Sequence, residues 1–421
     1  MLSLQRQREI YLNGMAGHIP KTPISYAGLE EKAKQILSVN AFAYLAGGAG
    51  RETTIERNRQ SLDKIKIHPR MLGGVQEVSM QLKWREHTLP APFMLAPIGV
   101  LELAHHKGDL AVAKASAATG IPMIISSQAS FPMEEIATQL NNCPRLFQLY
   151  YSKSTELSKN LIRRAEAINC SAIVVTLDTT LLGWRVRDLS LGYNPFIHGK
   201  GIAQYYSDPV FNQLPDPPGD LSVKPPLTFS LVKSMINLNN RIPGSFIQNI
   251  RTKRAMKTVR KFTSIFNNPG MSWDDISRIK EWTKLPVYLK GILRTDDTVK
   301  AMEVGVDGII VSNHGGRQID GSISSAEALP VILETVKGKI EVWLDSGIRN
   351  GSDIFKCVAL GATGVMIGRP YAFALACNGT DGIKDCISNI MSELELIMAL
   401  SGCRTLSDIN LSLISNSNHA V

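Results

Sequence analysis

From residue 91 onward, short apolar runs alternate with longer stretches whose apolar residues recur at helical spacing. The runs at 93–98, 123–127, 146–150, 172–178, 287–291, 308–313, 341–347 and 364–368 read as strands buried on both faces. Helical patterns at 108–118, 134–139, 154–168, 295–304, 325–336 and 351–360 lie between most of them. Eight strands with intervening helices predict an α/β fold, a (β/α)8 TIM barrel over residues 91–376. A doubly wound open sheet is the alternative, but no G-x-G-x-x-G follows an early strand. One interval breaks the rhythm. Residues 187–282, between strands four and five, are rich in Pro, Asn, Gly and basic residues and read as an insertion or lid on the active face.

Upstream, a polar arm precedes a helix expected over 26–38. Gly47, Gly48 and Gly50 end the helical pattern and permit close backbone approach, and a charged helix resumes over 51–63. The expectation is a single domain over 1–421, with an N-terminal helical segment (1–90) and C-terminal helices (377–421).

Composition narrows the class. The 421 residues, 44% hydrophobic and 20% charged, suit one large barrel with insertions. No run approaches the roughly 20 apolar residues of an integral membrane segment, and the start, Met1 to Arg8, lacks a signal peptide's apolar core. Six scattered cysteines, without C-x-x-C or zinc-ligand spacing, point to reduced thiols in a cytoplasmic protein with no metal site. The net charge of +9 is uneven: seven Lys/Arg and no Asp/Glu lie between Arg241 and Lys261, leaving +2 for the rest. No stacking aromatics or nucleic-acid module accompany that cluster, which argues against a nucleic-acid partner. It reads best as the solvated face of an inserted helix, with attraction of anionic substrates or lipid head groups left open.

The strand ends carry the candidate chemistry, because barrel strands converge there on one mouth. They offer Pro97-Ile98-Gly99, Ser126-Ser127, Gln148-Leu149-Tyr150, Thr176-Leu177-Asp178, Lys290-Gly291, Ser312-Asn313-His314, Asp345-Ser346-Gly347-Ile348-Arg349 and Gly368-Arg369. Packing alone does not require a polar residue at each. Arg349 and Arg369 with their adjoining glycines fall where barrels commonly hold phosphate. His314 can take a proton, and Arg317, three residues on, can fork onto a carboxylate.

Ser312-Asn313-His314-Gly315-Gly316-Arg317-Gln318 resembles the active-site signature of the FMN-dependent L-2-hydroxy-acid oxidase/dehydrogenase family, which includes glycolate oxidase, lactate oxidase and lactate monooxygenase. Tyr44 to Ala49, Phe147 to Tyr150 and Leu289 to Gly291 are supporting matches, and the resemblance runs from about Tyr26 to Ile409. Trp184 to Asp188 and Ser207 to Phe211 look closest to the lactate monooxygenase branch.

The resemblance implies FMN as cofactor and a small 2-hydroxy acid, foremost L-lactate, as substrate, with O2 or another acceptor taking the electrons. It implies His314 as base supported by Asp178, Arg185 and Arg317 as carboxylate clamp, and Tyr44 and Tyr150 as hydrogen-bond partners of the substrate. Lys290 would sit by the flavin N1–O2 edge. Ser126, Gln148 and Thr176 would hold the isoalloxazine edge, with Pro97, Ile98 and Gly99 on its N5 side. Ser312, Asp345, Gly347, Arg349, Gly368 and Arg369 would bind the rest of the cofactor.

Relatives are commonly tetramers or larger, so a homo-oligomer is expected. Gly99, where most relatives carry alanine and lactate monooxygenases glycine, points to lactate 2-monooxygenase chemistry, with an oxidase or an acceptor-linked dehydrogenase as alternatives. Gln128 stands where glycolate oxidases are often aromatic. Tyr205 is a candidate substrate-facing residue of the lid. A barrel that binds FMN without catalysis, or a flavin-free enzyme of a phosphorylated substrate, are the rivals. Neither explains a histidine beside two candidate carboxylate-binding arginines.

Overall fold

The computed structural model describes residues 1–217 and 226–415. Eight parallel strands close into a barrel: β1 (Phe93–Leu95), β2 (Met123–Ile125), β3 (Arg145–Leu149), β4 (Ala172–Thr176), β5 (Val287–Ile292), β6 (Gly308–Val311), β7 (Glu341–Leu344) and β8 (Gly364–Ile367). β8 pairs back onto β1, with Val365 opposite Phe93. Almost every strand residue is buried, as expected of parallel strands covered on both faces.

Strand residues alternate between two hydrophobic clusters. Phe93, Leu95, Ile173, Leu289, Ile309 and Leu344 face outward onto the helices. Met94, Ile124, Leu146, Val174, Tyr288, Ile310, Trp343 and Met366 fill the barrel interior. That is the two-residue period of a strand, repeated around the ring. A hairpin, Leu82–Trp84 with His87–Leu89, closes the lower end. Its Trp84 is fully buried, meets Trp343 edge-on at 6.4 Å between centroids, and donates its indole N–H to Glu341 Oε2 at 2.9 Å. With that end plugged, only the C-terminal mouth can admit a ligand.

The expected strands all form, and six of the eight end short of their apolar runs, while β3 is shifted one residue earlier and β5 runs one residue longer. The tips at 97–99, 126–127 and 345–349 belong to loops, whereas Lys290 lies within β5. The helix expected over 26–38 is two helices, Tyr26–Ile36 and Val39–Ala46, because the Ser38 hydroxyl accepts from Ala41 N–H and starts the second. The 1–90 segment is helical only as far as Lys64, after which come the hairpin and a strand, Lys66–Ile67, paired with Ile414–Ser415. In the C-terminal part, helix Arg369–Leu400 bends at Asn378 and Gly379. The expected 187–282 insertion takes in one of the barrel's own helices, Trp273–Trp282, which begins at a Ser272/Asp275 capping box and packs between Thr155–Ala167 and Thr295–Val304. Residues 218–225 of that insertion and 416–421 of the C-terminal segment lie outside the described residues.

Trp84→Ala should leave a cavity beneath the barrel and cost about 3–5 kcal/mol, the range for truncating a buried aromatic. Denaturant unfolding measures it, and a loss below about 1 kcal/mol would mean that the hairpin does not stabilise the barrel's lower end.

Candidate active site

One step up from the apolar interior, the same two-residue period brings Ala96, Ser126, Gln148, Thr176, Lys290, Ser312, Asp345 and Gly368 to the inside of the barrel. Six of these are polar, and they satisfy one another laterally. Ser126 Oγ donates to Gln148 Oε1 at 2.8 Å, and Gln148 Nε2 donates to Thr176 Oγ1 at 2.9 Å. Lys290 Nζ donates to Ser312 Oγ at 2.9 Å, and Ser312 Oγ donates to Asp345 Oδ2 at 2.6 Å. Ser126, Gln148, Thr176 and Ser312 are buried just beneath the cavity, while Lys290, Asp345 and Gly368 line it.

The cavity encloses about 930 Å3 counted to its open mouth. Besides those three, its wall includes Tyr44, Pro97, Ile98, Gly99, Gln128, Tyr150, Thr179, Arg185, His314, Arg317, Gly347, Arg349 and Arg369. Of the catalytic and cofactor-binding candidates, Asp178 and the four residues of the layer beneath do not line it, and neither does the lid candidate Tyr205.

Asp178 stands behind His314, accepting from its Nδ1 at 2.7 Å, which leaves Nε2 for the cavity. Burial opposes ionisation of Asp178. The charges of His314 and Lys290, the latter 3.6 Å away, outweigh it and hold the carboxyl well below its usual range. Gly291 makes this approach possible, since a Cβ there would lie 2.9 Å from Asp178 Cβ. For His314, burial lowers the pKa, and Lys290 and Arg185 add to that effect against Asp178. The imidazole therefore rests neutral, with an ionised carboxylate ready to stabilise it once protonated. His314 takes a left-handed backbone conformation (φ 58°), as does the facing Ser346 (φ 88°), whose Oγ accepts from Gly315 N–H at 2.9 Å. Such conformations cost on the order of 1–3 kcal/mol each and cluster at functional sites.

Arg317 and Arg185 lie over the Tyr44 ring, 4.9 and 5.8 Å from its centroid. Among the described residues neither forms an ion pair. Among the described residues the Arg317 side chain bonds only backbone carbonyls, Tyr44 O at 2.5 Å and Gly47 O at 2.8 Å, and burial together with Arg185 pulls its pKa down to about 9. Arg349 and Arg369 form a second unneutralised pair. Arg349 Nε is buried without a hydrogen-bond partner, and its guanidinium lies 4.2 Å from the Tyr26 ring centroid. Burial and the Arg349 charge bring Arg369 down to about 10. Two adjacent pairs of uncompensated cations are a place for two anions: a carboxylate near His314, and a phosphate at the β7–β8 mouth. This donor set fits FMN, whose phosphate would be held by Arg349 and Arg369 and whose ring would lie over the polar layer.

The FMN-dependent dehydrogenase profile matches residues 33–416. The chain belongs to the FMN-dependent dehydrogenase family. It is 37% identical over 397 residues to an L-lactate oxidase of a Nostoc species, covering 93% of this chain and 98% of that protein. It is 35% identical to an L-lactate oxidase of Lysinibacillus sphaericus, covering 94% and 93%, and 36% identical to a peroxisomal (S)-2-hydroxyacid oxidase of Arabidopsis thaliana, covering 92% and 95%. Crystalline mandelate oxidase superposes with a TM-score of 0.74 at 32% identity, covering 94% of this chain and 98% of that one. Members of the FMN-dependent dehydrogenase family use FMN, so the cofactor expectation holds.

Within this family member, sequence reasoning missed Thr179, whose Oγ1 donates to Asp178 Oδ1 at 2.9 Å and lies 3.1 Å from His314 Nδ1. Its place immediately after Asp178 was the available signal. Tyr205 does not face the cavity. It is wholly buried between Phe211 and Phe262, with its hydroxyl unpartnered. At Gly99, a Cβ would meet Gln128 Cβ at 2.9 Å and Oε1 at 3.1 Å. Gly99→Ala should therefore displace Gln128 and cost about 1–3 kcal/mol, as overpacking does. Adding Gln128→Ala should recover most of that loss in thermal or denaturant unfolding; two independent, additive losses would show the pair uncoupled.

Proposed function

We propose that this chain oxidises a small L-2-hydroxy acid, L-lactate foremost, and that the 2-keto acid is oxidised further before release, as in lactate 2-monooxygenase chemistry. The observation that carries the hydroxy-acid reading is the neutral His314, backed by Asp178, beside two arginines that lack carboxylate partners. FMN, with its phosphate held by Arg349 and Arg369, would supply a two-electron acceptor that O2 or another oxidant can regenerate. Arg185 and Arg317 hold the substrate carboxylate in planar forks. His314 Nε2 takes a proton from the α-carbon or its hydroxyl, and Asp178 stabilises the imidazolium that results.

Tyr150 keeps its proton, because burial and the Asp178 charge push its pKa up to about 12, and it hydrogen-bonds the oxygen that becomes the ketone. Tyr44 hydrogen-bonds the carboxylate between the arginines. Burial opposes the charge on Lys290, yet Asp178 and Asp345 hold its pKa above the usual lysine value. It thus remains a fixed cation at the cavity wall, where it would offset negative charge on the ring of a bound flavin. Ser126, Gln148, Thr176 and Ser312 would brace the cofactor from the layer beneath the cavity, and Pro97, Ile98, Gly99, Gly347 and Gly368 would offer it backbone.

In the monooxygenase reading, lactate and O2 give acetate, CO2 and water, the keto acid reacting with peroxide before either leaves. The oxidase reading, pyruvate plus H2O2, draws support from the relatives named L-lactate oxidase and from Gln128, which fills the space that Gly99 would free. Product analysis with L-lactate in air separates them. Acetate without free peroxide supports the monooxygenase; stoichiometric pyruvate and peroxide overturns it and leaves the oxidase. An acceptor-linked dehydrogenase would be slow with O2 alone. A cytoplasmic homo-oligomer completes the proposal; among the described residues no helix is long and apolar enough to cross a membrane.

His314→Ala should retain FMN yet slow anaerobic flavin reduction by roughly 10²–10⁴-fold. Unchanged reduction would remove His314 from the mechanism. Because His314 must be neutral and its pKa is lowered, the acid limb of kcat/KM should lie below the ordinary histidine value of about 6.5. Asp178→Asn removes the charge that raises that pKa, so the limb should move to still lower pH while the rate falls.

A further inference from the structure

We infer that the outer face of three inserted helices docks on an anionic lipid surface. The helices are Phe229–Arg241, Phe246–Thr252 and Arg254–Ile265, which pack on one another as one unit. Asn249 ties the second to the end of the first, donating to Asn239 O at 3.0 Å and Ile242 O at 2.9 Å. Their inner side is anchored to the protein: Phe262 stacks on Phe266 at 4.5 Å and meets Phe196 at 5.4 Å. Arg241 pairs with Glu102 beside β1, and buried Lys261 donates to the carbonyls of Phe211 and Leu214.

The outer side lacks such anchoring. Phe229 is 86% exposed and Ile247 69%, and Val232, Ile236, Phe246 and Ile250 are exposed with them. Phe229, Val232 and Ile236 recur at helical spacing on one face, with Lys233 among them. Arg251, Lys253 and Arg254 are exposed nearby in the chain, and none of these four cations forms an ion pair among the described residues. The charge imbalance is extreme. Residues 226–273 hold eight Lys/Arg and no Asp/Glu, so they carry +8 of the chain's +9.

Apolar side chains interleaved with unpaired cations, on helices too short to span a bilayer, match the interface between anionic head groups and acyl chains. A second copy of the chain would bring the same positive face against itself. A nucleic acid would meet the charge but leave the apolar residues in water.

The test is co-sedimentation of the full-length, FMN-loaded protein with phosphatidylcholine vesicles, with and without phosphatidylglycerol, at low and at about 0.5 M salt. Binding should be about tenfold or more stronger with phosphatidylglycerol and should weaken at high salt. Arg251→Glu/Lys253→Glu should weaken it by about 25-fold or more, near fivefold for each basic charge removed. Phe229→Ser/Ile247→Ser should weaken it by about tenfold or more through the apolar contact. Unchanged hydroxy-acid turnover will show that both variants are folded. Equal binding to both vesicle types, no binding, or variants that bind like the parent would overturn the inference. So would concentration-dependent self-association of the lipid-free protein that Phe229→Ser/Ile247→Ser abolishes, which would give the face to a second copy.

Discussion

The site depends on one geometric constraint, the two-residue period of eight strands closed into a ring. Inward positions are apolar up to Met94, Ile124, Leu146, Val174, Tyr288, Ile310, Trp343 and Met366, and the next inward positions include Ser126, Gln148, Thr176, Lys290, Ser312 and Asp345. A one-residue slip in any strand would send its polar group outward among the helices. The apolar layer below excludes water, so the polar layer above is satisfied by hydrogen bonds within itself. That raft of bonded side chains is rigid before any ligand arrives, and preorganised polar groups of this kind act more strongly on a bound ring than mobile ones.

Charge is distributed over this raft in two ways. Lys290 is compensated, with Asp345 at 3.1 Å and Asp178 at 3.6 Å, and so remains a permanent cation at no exceptional cost. The arginines are not compensated. Arg185 with Arg317, and Arg349 with Arg369, crowd like charges around the cavity, and the lowered pKa values of Arg317 and Arg369 express their burial first and that repulsion second. Anions entering both places would relieve it, so ligand binding there would draw on electrostatic strain already present in the fold. Left-handed backbone at His314 and Ser346 is a second such store, held in place by hydrogen bonds to Asp178 and from Gly315.

The chain from the end of β4 through the insertion divides its residues between two tasks. Leu182 and Arg185 reach the cavity. Asp208, fully buried, accepts from Arg164 at 3.1 Å, and Tyr205, Phe211 and Phe262 pack the segment down onto the barrel. This is a cover fixed by a salt bridge and an aromatic cluster, which explains why Tyr205 is unavailable to a substrate. The basic residues likewise divide, Arg241 and Lys261 inward as anchors and Lys233, Arg251, Lys253 and Arg254 outward.

The barrel was legible in the sequence, because eight apolar runs separated by helical periodicities admit few other closed arrangements, and polar residues at the ends of seven of the eight runs marked the mouth. The sequence by itself determined the chemistry of Ser312 to Gln318, since histidine, glycines and arginine at that spacing have few structural uses together. Only the tertiary structure decided which neighbours those residues have. Asp178 and His314 are 136 positions apart and meet at 2.7 Å solely because β4 and β6 flank β5. That Arg349 and Arg369 lack carboxylate partners among the described residues, that Thr179 joins the His314–Asp178 pair, and that Gln128 fills the space beside Gly99 are facts of packing between distant segments. Local periodicity reports which way a side chain points along its own element; which group it meets there depends on how the elements close around it.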